Sequence, residues 1–66
     1  RLDREARQVL YLLAHGAHAG QISEQLGIDK RRVYWIREKL RKRFGTRTNE
    51  HLIQRAAAEG FIPRRD

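Results

Sequence analysis

Apolar residues fall along this chain in four clusters at helical spacing, and glycine closes each cluster. In the first, Ala6, Val9, Leu10, Leu12 and Leu13 recur every three or four positions, which predicts a helix over about 4–15. Asp3 stands where an N-cap should, ready to accept from the free amides of the first turn, and Gly16 is the C-terminal stop. The second cluster is short: Ala19, Ile22 and Leu26 predict a helix over 19–26 that ends at Gly27. Asp29 then caps a third helix over 30–44, where Val33, Ile36, Leu40 and Phe44 form one narrow apolar stripe on a charged rod. After Gly45, Thr48 or Asn49 caps a fourth helix over 49–59, carrying Leu52, Ile53, Ala56 and Ala57 and stopped by Gly60. Phe61 and Ile62 can fold back before Pro63 breaks the chain. The pattern contains no credible strand, repeat or linker. The expected architecture is all-α: one compact four-helix domain spanning 1–66.

Composition narrows what such a domain can do. With 66 residues it buries only about 60% of its unfolded surface, so it has room for one core and none for a deep catalytic cavity. The absence of cysteine excludes disulfides and thiolate metal sites and fits a cytoplasmic setting. No apolar run approaches the roughly 20 residues of a membrane span. The chain begins at Arg1 without methionine, consistent with a piece of a larger protein.

Charge changes the picture most. Fifteen Lys and Arg oppose eight Asp and Glu, a net +7 that favours a polyanionic partner. Nine of the fifteen lie between Lys30 and Arg47, opposed there only by Glu38. The third helix is thus a cationic element on an otherwise balanced chain.

The junction before that helix carries the functional signal. A helix, a turn through Gly27-Ile28-Asp29 and a second helix make the helix-turn-helix pattern, with Ile28 plugging the corner. Advancing about 100° per residue from Val33, the stripe points inward. Arg31, Trp35, Glu38 and Lys42 then point away, with Tyr34, Lys39 and Arg41 on the flanks. Arginine grips guanine edges with two hydrogen bonds, and aromatic surfaces meet thymine methyls in the major groove. A recognition helix reaches base edges with its first turns and phosphates further along. Lys30, Arg31, Tyr34, Trp35 and Glu38 are therefore base-contact candidates, Glu38 as acceptor from a cytosine amine. Arg32, Lys39, Lys42 and Arg47 are phosphate-contact candidates.

From Leu2 to Ile62, without a gap, the chain resembles the LuxR-type (GerE/NarL-type) C-terminal helix-turn-helix domain of bacterial transcription regulators. The similarity lies in Val9-Leu10, Leu12-Leu13-Ala14 and Gly16, in Ile22 with Glu24, and in Leu26-Gly27-Ile28. It continues through Val33, Leu40-Arg41-Lys42, Gly45 and Gly60-Phe61-Ile62. The resemblance implies a four-helix fold whose third helix enters the major groove of double-stranded DNA and whose fourth often mediates dimerisation. It also implies an upstream regulatory domain. On the fourth helix His51, Gln54, Arg55 and Ala58 are dimer or partner-surface candidates. Three departures stand out. Ala6 occupies the family's usual glutamate position, so Asp3 caps without the reciprocal partner of a capping box. His18 and Gly20 replace a small polar cap and a phosphate-touching lysine. Tyr34-Trp35 replaces a small or polar pair.

Blander readings compete with these. Any single surface lysine is more often merely solvated, and Trp35 has a core orientation as its alternative. His15 and His18, three apart, lack a third ligand, so no metal is expected. No nucleophile triad, carboxylate pair or phosphate loop is visible, and neither enzyme activity nor a cofactor is expected. The alternative to sequence-specific DNA binding is a protein-interaction module of the same shape, docking an acidic partner or RNA polymerase, or self-associating through the flat Ala56-Ala57-Ala58 surface. Membrane binding ranks last, because a core this small cannot spare its stripe to lipid.

Overall fold

A computed structural model describes residues 2–63 and shows four helices: α1 (Arg4–Ala14), α2 (Ala19–Leu26), α3 (Lys30–Phe44) and α4 (Asn49–Ala58). Among the described residues there is no strand. Helices α1 and α4 end one residue before the sequence pattern suggests, because His15 and Glu59 are C-caps.

Each start is made by a side chain that takes up an orphan amide. The Ala6 N–H donates to Asp3 Oδ1 at 2.8 Å, the Arg31 N–H to Asp29 Oδ1 at 3.0 Å, and the His51 N–H to Thr48 Oγ1 at 3.1 Å. An N-cap of this kind contributes about 1 kcal/mol. Two of the stops set the shape of the molecule. Gly27 and Gly45 adopt left-handed backbone (φ 68° and 67°), and the residue after each donates five positions back: Ile28 to the Ser23 carbonyl at 3.0 Å, Thr46 to the Arg41 carbonyl at 2.9 Å. These are Schellman closures, which glycine enters without the steric cost of a Cβ. The first turns the chain from α2 into α3, and the second turns it from α3 into α4.

The core takes one stripe from every helix. Val9, Leu10 and Leu13 of α1 meet Ala19 and Ile22 of α2, Val33, Ile36, Leu40 and Phe44 of α3, and Leu52 and Ala56 of α4. Ile28 packs against this core from the α2–α3 turn, half-buried. Past α4, Ile62 is buried and Phe61 sets its ring edge-on to Phe44, with centroids 5.3 Å apart and an interplanar angle of 84°. Edge-to-face is the arrangement the ring quadrupoles favour. The tail thus closes over the far end of α3. No buried polar or charged residue is found among those described. Every charge is left to the exterior, and α3 carries eight of the fifteen basic residues.

Candidate nucleic-acid interface

Because the four stripe residues of α3 are buried, its other sides face outward. Arg31 has a side chain 91% exposed, resting 3.6 Å from the Asp29 carboxylate. Trp35 is 54% exposed and Tyr34 42%, which excludes the core orientation for the tryptophan. Lys42 is exposed on the same outer side, and Arg47 is exposed in the turn that follows.

The outer aromatics are held by cations. The Lys39 Nζ lies 4.6 Å from the Trp35 ring centroid and the Arg32 guanidinium 5.6 Å, while Arg37 stands 4.9 Å from the Tyr34 ring. Residues three and four apart on a helix are neighbours, so an aromatic in a basic helix gains such contacts from its own sequence. Arg32 has a second attachment. Its Nε donates to both Glu5 oxygens at 3.0 and 3.1 Å, and its Nη2 to Oε1 at 2.6 Å. These bonds, and then the carboxylate's charge, raise the Arg32 pKa above the usual arginine range. The pairing joins the start of α1 to the start of α3.

Glu38 is also engaged: Arg41 Nη1 donates to its Oε2 at 2.7 Å, and Arg41 Nη2 to the Asn49 side-chain oxygen at 3.0 Å. Glu38 Oε1 makes no such bond, and the side chain is 56% exposed. Lys30 departs from the outer row. A Cβ built on Gly20 would lie 3.8 Å from the Lys30 Cε and 3.1 Å from the His18 ring, so the lysine stem leans over the first turn of α2.

The structure also gives His18 a role that its sequence position did not reveal. Its Nδ1 accepts from the Gln21 N–H at 3.3 Å, and its own N–H donates to Gln21 Oε1 at 3.0 Å. This is a capping box with histidine in place of serine or threonine. Gln21 three residues on was the available signal. His15 Nδ1 donates to the Tyr11 carbonyl at 2.9 Å, and its ring lies tilted against the Tyr11 ring with centroids 4.2 Å apart. Among the described residues no cluster of three or more His, Asp or Glu could hold a metal ion.

A different surface gathers the fourth-helix candidates. His51, Gln54, Arg55 and Ala58 surround a hollow of about 330 Å³ together with Gly45 and Thr46. Gln54 and Ala58 also border a wider groove of about 710 Å³ between α4 and the end of α1, floored by Leu13, Ala14, Ile53 and Ala57. Among the described residues no helix is long and apolar enough to cross a membrane.

No known family profile matches the chain, and no curated protein does. Solved structures do. VqmA of Vibrio cholerae, a LuxR-type receptor described as a dimer that shifts conformation in the absence of its target DNA, is 31% identical. It superposes with a TM-score of 0.88 over 94% of this chain and 29% of its own. VqmA bound to DPO is 33% identical, with a TM-score of 0.84 over 91% of this chain and 30% of its own. This chain therefore spans less than a third of the proteins it matches. The four-helix fold that this chain shares with a LuxR-type receptor over 94% of its length, at 31% identity, places it among the LuxR-type helix-turn-helix domains.

Proposed function

We propose that this chain is the DNA-binding part of a bacterial transcription regulator, and that it binds double-stranded DNA sequence-specifically by inserting α3 into the major groove. The observation that carries this reading is the division of α3: Val33, Ile36, Leu40 and Phe44 are buried while Arg31 and Trp35 are exposed on the opposite side and Tyr34 on the flank. An α-helix with its side chains is about 10–12 Å across, and the major groove about 12 Å wide. Similarity to a receptor that has a target DNA supports the same reading.

Arg31, Tyr34 and Trp35 are the base-edge residues, with Glu38 contributing its unpaired oxygen. Lys39, Lys42 and Arg47 take phosphates. Arg32 joins them through Nη1, because Glu5 occupies its Nε and Nη2. Lys30, leaning over α2, belongs with the phosphate contacts rather than with the base readers. The α4 face and its groove suit self-association, and VqmA is described as a dimer, so a homodimer through α4 is the accompanying proposal.

Selection from random duplex DNA at two salt concentrations tests the reading. Enrichment of a defined site supports it, a palindrome indicating a dimer and a single half-site a monomer. Failure to enrich any sequence overturns it in favour of the protein-interaction alternative.

A further inference from the structure

We infer that Trp35 determines part of the target sequence by meeting a thymine methyl with its hydrocarbon edge, and that Glu5, on a different helix, is the positioning residue that holds it there through Arg32. This rests on the DNA-binding reading above and names the residues that set its specificity.

Trp35 is the single tryptophan of the chain and the most exposed large apolar side chain of the described residues. An indole left in water on a domain this small is uncommon unless something is to cover it. Its surroundings are ordered. Lys39, one turn on, places Nζ 4.6 Å from the ring, and Arg32, one turn back, places its guanidinium at 5.6 Å. The cations take up ring face, and the hydrocarbon edge offers an apolar contact beside them.

Arg32 would be free to swing on its long stem were it not held at Nε and Nη2 by Glu5. Glu5 comes from α1, 27 residues away, and its side chain is 31% exposed against 51% for Arg32, so the anchor is the more sheltered partner. Leu2, Ala6, Arg32, Trp35 and Lys39 line one shallow groove of about 320 Å³ with it. The order of dependence is Glu5, Arg32, Trp35. A reading side chain fixed before contact loses less rotamer freedom on binding, and its geometry discriminates more sharply.

The test uses the wild type, Trp35→Ala, Glu5→Gln and Arg32→Lys, the last keeping the charge but not the forked grip. Each is measured on the selected site and on the same site with the preferred thymine replaced by uracil, which deletes one methyl. For the wild type the replacement should weaken binding about fourfold, the worth of one buried methyl-sized group. Trp35→Ala should erase the thymine–uracil difference, and Glu5→Gln and Arg32→Lys should diminish it. Acrylamide quenching of the lone tryptophan should rise in the latter two, at temperatures where circular dichroism shows each variant folded. An undiminished difference in Trp35→Ala overturns the role of the indole. An undiminished difference and unaltered quenching in both Glu5→Gln and Arg32→Lys overturn the positioning role. A wild type that selects no site sinks the DNA-binding reading itself, which is a separate result.

Discussion

Helices α3 and α4 give the core the same thing and give the solvent opposite things. Both bury aliphatic side chains at three- and four-residue spacing, Val33, Ile36 and Leu40 on one and Leu52 and Ala56 on the other. Outside, α3 carries arginine, lysine, tyrosine and tryptophan, whereas α4 exposes Glu50, His51, Gln54, Arg55 and Ala58 beside an apolar groove. Packing demands fix the inner faces and leave the outer ones free, so function is written on the side the fold does not need. A cationic, aromatic exterior suits a polyanion with apolar methyl groups in its groove. A mixed polar exterior with balanced charge, bordering an apolar groove, suits another helix.

That contrast can be broken at several points. The largest effect belongs to the shared inner side: Leu40→Ala should cost about 2–5 kcal/mol of stability in urea unfolding, because the cavity lies where α3 meets the core. A loss under 1 kcal/mol would show that α3 is not anchored by its stripe. On the outer side, Arg31→Ala should leave unfolding unchanged yet weaken the selected site by about 1–3 kcal/mol and relax one base pair. A uniform loss over unrelated duplexes would move Arg31 to the phosphate group. Gly27→Ala probes the corner between α2 and α3. No atom lies within 4 Å of a Cβ built there, so the cost is that of left-handed backbone alone, about 1–2 kcal/mol. A larger loss would mean that the corner is packed more tightly than its geometry implies.

Smaller effects sharpen the comparison. Lys42→Ala should reduce the slope of log affinity against log salt by roughly 0.9, the release of one counterion. An unchanged slope would remove Lys42 from the interface. On α4, Ala58→Lys should alter stability by less than about 0.5 kcal/mol, since the residue is exposed. It should lower self-association in sedimentation while single half-sites bind as before. Unaltered sedimentation of a wild-type dimer would take the α4 face out of the contact.

What could be read from the residues alone was local. Val33, Ile36, Leu40 and Phe44 announce their shared face by spacing, and Gly27 before Asp29 announces a stop and a start. The LuxR-type resemblance rests on those same near-neighbour patterns. What stayed hidden depends on contacts between distant residues or on an uncommon residue doing a common task. Glu5 and Arg32 are 27 positions apart, and no periodicity links them. The Arg41–Asn49 hydrogen bond joins two helices across the Gly45 turn. Lys30 reaches the first turn of α2 from ten positions away, beside Gly20, which no periodicity marks. His18 caps a helix as serine would, and its partner Gln21 could have betrayed it.

The third helix is fastened at both ends: Asp29 caps its first turn, Arg41 holds Asn49 across the following loop, and Phe61 lies edge-on against Phe44 at its last residue. Such a rod arrives at its target already ordered. Its association should therefore show the modest heat-capacity decrement of two rigid surfaces meeting, not the large one of a segment that folds on arrival.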